Sequence, residues 1–251
     1  MSSFNFAAAS YSNSAPLVDY LSTASPSSKI KYGYPSSHLR ELILGNVDCA
    51  LIPVVHAFNN PVIKPLLNVG VASDGEVKSV LIKRKKPIDE IISILKDKAS
   101  ATSNKLAELI LHHHFNQTVE MIDNSDIFDA KVLIGDTALL SNHSDEDIDL
   151  SLAWKQMTGF PFIFAVWAVR SDCKYVDEIN DITYRAANMG VNSLPKIAKR
   201  FSIQQGNSFE FWNNYLKNNI HFFLTDSDIN GMQLFKEMLN VNDALALNTV
   251  D

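Results

Sequence analysis

Cysteine is scarce: only Cys49 and Cys173 occur in 251 residues, each inside or beside an apolar stretch. Two such residues cannot staple a small disulfide scaffold, and they read as buried thiols in a reducing compartment. Basic residues are missing from the start of the chain, where the first Lys or Arg is Lys29. A secretory signal needs a basic n-region and a longer apolar run than FNFAAA, and a mitochondrial presequence needs Arg. Nor does any stretch approach the roughly 18 uninterrupted apolar residues of a membrane helix. The expectation is a soluble, cytoplasmic protein with no membrane partner.

Positive charge is short overall. The net charge is −6 with a pI of about 5.6, whereas a nucleic-acid footprint needs a basic face. KRKK at 83–86 reads as a solvated strand end. No GxGxxG, GKS or GKT phosphate loop, GxSxG elbow or CxxC occurs. His112, His113 and His114 are consecutive, so on a regular helix they point about 100° apart and cannot converge on one metal. His56 and His143 lack partners at ligand spacing. Trp154, Trp167 and Trp212 read as core. A pocket here is expected to act on a small molecule, without nucleic acid, metal, nucleotide or other cofactor.

What the chain does have is apolar material, 46% of its residues. That is ample for a packed core and more than one domain usually needs. Short apolar runs alternate with helical patterns, which reads as α/β. FNFAAAS, KIKYGYP and DCALIPVV read as strands, separated by helices that start at APLVDYLS and at SSHLRELILGN. Pro16 suits a first helical turn, Ser36 or Ser37 a cap, and Gly45 a helix end. Residues 88–98 read as an amphipathic helix, ATSNKLAELILHHHF as another, and Tyr175 to Leu239 as almost wholly helical. The buried strands VKSVLIK (77–83) and FIFAVWAVR (162–170) bracket about 80 residues. This predicts an inserted lobe, 84–167, within a discontinuous one, 1–83 plus 168–251, with a ligand in the crevice between.

In an open α/β sheet, ligands bind beyond the carboxyl ends of the strands. Polar clusters fall at such places: Tyr11–Ser12–Asn13–Ser14 before Pro16; Ser73–Asp74–Gly75–Glu76 leading to Ser79; Ser100–Ala101–Thr102–Ser103 at a helix start; and Gly135–Asp136. Thr158–Gly159–Phe160–Pro161 adds a fifth turn. Two of these open helices, where free N–H groups favour an anion. Taken singly, each also reads as an ordinary cap, with Gly75 and Gly159 supplying positive φ.

YSNSAP resembles the Y-x-N-S/T-x-P opening of the menaquinone-biosynthesis family, closer to its chorismate dehydratase branch. The agreement continues in order through NVDCALIPVV, SDGEVKSV, SATS, VLIGDTAL, DLSLAWKQMTGFPFIFAVWAVR and YLKNNIHFFLTDSDINGMQLFKEML, covering residues 4–240. It departs at Ser12, where the family carries Leu, and at Ala101, where Arg is common. The resemblance implies a type II periplasmic-binding-protein-like α/β fold with two lobes and a ligand cleft. It also implies cofactor-free removal of water from chorismate, giving 3-[(1-carboxyvinyl)oxy]benzoate. By position, Asn13 and Ser79 are the implied catalytic residues, with Thr102 and Ser103 holding a carboxylate. Tyr11, Ser12, Ser14, Ser73, Gly75, Gly135 and Asp136 are implied substrate contacts, and Phe160, with Phe162, packs on the ring. Two other readings stay open. One is a non-catalytic cytoplasmic protein holding a small cyclic carboxylate, and the other is a relative acting on another chorismate-like substrate.

Overall fold

The computed structural model describes residues 2–247. Its elements begin with β1 (Asn5–Ala8), α1 (Ala15–Val18), α2 (Leu21–Ala24), β2 (Lys29–Tyr32), α3 (Pro35–Ile43), β3 (Cys49–Pro53) and β4 (Ile63–Ser73). There follow β5 (Val80–Arg84), β6 (Ser93–Leu95), α4 (Ala101–His113), β7 (Glu120–Ile122), β8 (Ala130–Ile134), α5 (Gly135–Leu139), β9 (Ile148–Asp149), α6 (Leu150–Thr158) and β10 (Phe162–Arg170). Last come α7 (Val176–Val191), α8 (Leu194–Gln204), α9 (Phe209–Asn214), β11 (His221–Phe223) and α10 (Asp226–Leu247).

Two compact units result. The first comprises the chain up to Ser73 together with Phe164–Thr225; the second comprises Asp74–Ile163 and the chain from Asp226 on. Both divisions differ from the boundaries at 83 and 168 expected from the apolar strands. Residues 80–84 pair with β8 and β9, so hydrogen bonding assigns them to the second sheet. The last helix joins the second unit because Phe235 packs edge-on against Trp154 and Phe162, with ring centroids 5.7 and 4.9 Å away.

The first unit is a six-stranded sheet in the order β11-β4-β10-β3-β1-β2. β1 runs parallel to β2 and β3, while β10 is antiparallel to β3. β3 is buried along its whole length, as expected of a strand covered on both faces. Phe6 meets Trp167 edge to face at 5.8 Å, and both are fully buried. Gly190 in α7 lets that helix approach α1 backbone to backbone: a Cβ there would stand 1.9 Å from the Pro16 carbonyl oxygen. Gly45 takes φ +72° just past α3, the left-handed ending read from its position. α3 itself starts at Pro35 with Tyr34 before it, earlier than a Ser36 or Ser37 cap would allow. Cys49 is buried as expected, but Cys173 is only partly so, and both thiols are free.

The second unit is a five-stranded sheet, β7-β6-β8-β5-β9. The helix expected over 88–98 is absent. A 3₁₀ turn at Ile88–Glu90 leads into β6, which pairs in parallel with β7 and β8. The Asp129 carboxylate fixes that entry by accepting the N–H groups of Ile92 and Ser93 at 3.0 and 3.1 Å. The core is an aromatic cluster of Trp154, Phe162 and Phe235, with the Trp154 indole N–H donating to the Pro161 carbonyl at 3.1 Å. The KRKK run is paired rather than simply solvated. Lys83 meets Asp147 and Lys86 meets Asp129, each at 2.6 Å, and Lys85 sits 3.3 Å over the Phe128 ring. Among the described residues, no helix is long and apolar enough to cross a membrane.

Candidate functional site

In the first unit, the YSNS segment leaves the carboxyl end of β1 and turns into α1. Its shape comes from Ser14, whose hydroxyl donates to the Ala9 carbonyl at 2.7 Å with the Tyr11 carbonyl as a second acceptor at 3.0 Å. The Ser14 N–H also returns to the Tyr11 carbonyl, and Ala15 to that of Ser12. Ser14 therefore precedes the helix without capping it by its side chain. With four residues, α1 is also too short to gather the aligned dipoles that make a helix start an anion site. Ser12 and Ser14 are buried, while Tyr11 and Asn13 are half-buried. Ser73 reaches the same end of this sheet. β10 enters with Ala165 opposite Pro53 at the end of β3, and a Cβ on Gly70 would meet the Ala165 carbonyl at 2.6 Å. Tyr11 also lines a cavity of about 250 Å³ with Ala9, Ser10, Asp19, Tyr32 and Arg200. Burial pushes the Asp19 carboxyl up, although Arg200 stands 2.8 Å away.

In the second unit, three of the polar clusters collect at one end of the sheet. β5 runs antiparallel to β8, so Ser79, just before β5, lies beside Gly135, just after β8. The Gly135 N–H donates to the Ser79 carbonyl at 2.8 Å. β6 runs parallel to β8, so the segment from Asp97 to the start of α4 emerges at that same end. Asp97 ties it there: its carboxylate accepts the N–H groups of Ala99 and Ile134, while burial pushes its carboxyl up. α4 is capped by Ser100, which accepts the Ser103 N–H at 3.1 Å and donates to the Ser103 hydroxyl at 2.8 Å. Thr102 and Ser103 thus sit inside the first turn of a 13-residue helix, both fully buried. Ser79 is fully buried as well, whereas Asp136 is half-buried. Gly75 has φ +111° and open space where a Cβ would go.

Phe160 stands elsewhere. The length of α6 separates it from Asp149, and it turns toward α10, where a Cβ on Gly231 would meet its own Cβ at 3.1 Å. Gly159 takes φ +78°, as its place after α6 requires. Phe162 belongs to the aromatic core.

Two acids escaped the reading of the sequence, Asp97 and Asp149. Asp149 caps α6 through Oδ1, which accepts from Ser151 and Leu152 at 3.1 and 3.0 Å. Its Oδ2 accepts from Val77 and Lys78 at 3.0 and 2.7 Å. Burial raises its carboxyl pKa against the Leu152, Lys78 and Val77 N–H groups. An Asp just before an apolar helical pattern, as in DLSLAW, is the signal that would have found the cap. The contacts to the 77–78 turn leave no trace in the sequence.

A family model described as "Menaquinone biosynthesis" matches residues 4–240. The chorismate dehydratase of Campylobacter jejuni subsp. jejuni is 31% identical over 137 residues, 54% of this chain and 51% of that protein. The chorismate dehydratase of Thermus thermophilus is 26% identical over 255 positions, covering 92% of this chain and 93% of that one. Among solved structures, a protein from Archaeoglobus fulgidus superposes with a TM-score of 0.74 at 12% identity, over 96% of this chain and 98% of its own. The periplasmic aliphatic sulphonate binding protein of Escherichia coli does so with a TM-score of 0.62 at 11% identity, over 97% and 94%. A Candida albicans protein with the generic periplasmic binding protein fold gives 0.59 at 14%, over 98% and 92%. The fold is thus α/β and periplasmic-binding-protein-like, and the chain belongs to the menaquinone-biosynthesis family.

Proposed function

We propose that this member of the menaquinone-biosynthesis family is a chorismate dehydratase, a hydro-lyase that converts chorismate to 3-[(1-carboxyvinyl)oxy]benzoate. The observation that carries the reading is the family match over residues 4–240, which spans every polar cluster described above. The reaction breaks the ring C–O bond, with the electron pair leaving on hydroxide. A proton leaves the neighbouring ring carbon, and its C–H electrons complete the aromatic ring. Proton and hydroxide together make the water released. Aromatisation supplies the driving force, so the protein's task is to hold a dianion and stabilise charge as it shifts.

In this reading Asn13 lies against the reacting carbon and orients it, an amide being too weak a base to take the proton itself. Ser79 donates its hydroxyl to a carboxylate or to the departing hydroxyl. Thr102 and Ser103 receive a carboxylate at the start of α4, a helix long enough to favour an anion there. Tyr11, Ser12, Ser73, Gly75, Gly135 and Asp136 form walls. The Ser14 hydroxyl, engaged by Ala9 and Tyr11, shapes the loop instead of touching substrate. The reaction is placed in the cytoplasm, where two free thiols persist unpaired.

The test is to mix purified protein with chorismate and follow the ultraviolet spectrum and product mass. A product lighter by one water is expected. Asn13→Ala should abolish turnover while chorismate still raises the melting temperature. Stabilisation by chorismate without any product from the parent protein would instead mark a binding protein.

A further inference from the structure

Ser79 is held from both sides. After it, the ladder of β5 and β8 begins with Val80 opposite Ile134, and the Ser79 carbonyl takes the Gly135 N–H. Before it, the chain turns through Gly75 at φ +111° and Lys78 at φ +62°. Glycine adopts such angles freely, but a residue with a Cβ does so at a cost. Something must keep Lys78 there.

One carboxylate does. Asp149 lies in register with Leu81 on the neighbouring strand. Capping α6 occupies only Oδ1, and a cap needs no more than that. Oδ2 reaches across to the two consecutive amides immediately before Ser79, those of Val77 and Lys78, at 3.0 and 2.7 Å. The geometry points to Asp149 as the positioning residue of Ser79: it locks Lys78 in its left-handed conformation and thereby sets where the Ser79 hydroxyl stands. The inference rests on the role proposed for Ser79 in turnover.

The experiment compares kcat and KM for chorismate in Asp149→Ser, Asp149→Asn, Ser79→Ala and the double variant Asp149→Ser with Lys78→Gly. Serine caps a helix as well as aspartate but is too short to span to the turn. Its helical circular dichroism should match the parent while kcat/KM falls about 100-fold, the scale of a misplacement of about 1 Å. Adding Lys78→Gly should recover at least ten-fold, because glycine holds a positive φ unaided. A residue that only capped α6 would show no such rescue. Should Asp149→Ser not fold, Asp149→Asn serves in its place: the side chain keeps its size but offers one acceptor oxygen to two faces that need two. Parental kcat/KM in the Asp149 variants, with Ser79→Ala impaired, overturns the positioning role and leaves the Ser79 reading intact. Absence of rescue by Lys78→Gly also overturns it. Parental turnover in Ser79→Ala instead removes the Ser79 reading, and the positioning role with it.

Discussion

Gly190→Ala tests whether the YSNS segment is held from behind by α7. Inside a helix this exchange ordinarily stabilises by about 1 kcal/mol. Here the added Cβ would lie 1.9 Å from the Pro16 oxygen, 2.6 Å from its carbonyl carbon and 2.8 Å from its Cα, against an ordinary contact of 3.4 Å or more. All three atoms are backbone, so no rotamer relieves the overlap. Either α1 or α7 must shift by roughly 1–1.5 Å, and overpacking of this kind costs about 1–3 kcal/mol or more. The clash outweighs the propensity gain. The melting temperature should fall by about 4–8 °C, taking ~2 kcal/mol and the usual 2–4 °C per kcal/mol for a chain of this size. Turnover should fall further than stability does. Pro16 follows Asn13 by three positions, and a displacement of about 1 Å at a reacting group costs ~100-fold. Thermal melts and chorismate turnover measure both. Gly33→Ala is the control, since a Cβ there meets nothing nearer than 3.5 Å, and it should behave as the parent. A Gly190→Ala protein more stable than the parent would refute the argument, because propensity alone would then be acting.

Asp129 gives a pH dependence of definite sign. The Lys86 ammonium first, and the Ile92 and Ser93 N–H groups after it, hold its carboxyl at about 2, below its ordinary 3.8. A lowered carboxyl pKa stabilises the fold above the ordinary value, and that stability is lost as pH falls through the folded one. Asp129→Asn should therefore melt below the parent at neutral pH, with the gap closing between pH 3.8 and about 2; a gap that ignores pH would count against the assignment. Phe235→Ala opens a hole among Trp154 and Phe162, and should destabilise by about 3–5 kcal/mol in thermal or denaturant unfolding. A loss below ~1 kcal/mol would mean that α10 is not part of that core.

Elements were legible where local chemistry and tertiary pairing agree. FNFAAAS, DCALIPVV and FIFAVWAVR are strands in both readings because a fully apolar run suits a sheet covered on two faces. Over 88–98 the two disagree. Ile88, Ile91, Ile92 and Leu95 fall at helical spacing, but parallel pairing with 120–122 and 130–131 and the Asp129 clamp decide for a strand. None of those partners is near in sequence, so periodicity had no access to them. The unit boundary at Ser73 was hidden for the same reason. VKSVLIK looks like any buried strand, and only its partners, β8 and β9, say which sheet it serves.

The candidate site divides along a similar line. Which side chains carry polar atoms to the strand ends is visible in the sequence, and what each polar atom does there depends on carbonyls and amides brought in from elsewhere. Ser14 and Ser79 look alike as serines beside a turn. The structure turns the Ser14 hydroxyl onto Ala9 and Tyr11, whereas it grips Ser79 by the backbone, its carbonyl receiving Gly135 and the preceding amides bound to Asp149. The Ser14 hydroxyl is spent on the loop itself. On this ground Ser14 shapes the loop, and the proposed chemistry rests with Asn13 and Ser79. Asp149, with no hydroxyl and no place in a serine-rich turn, joins them as the acid proposed to position Ser79.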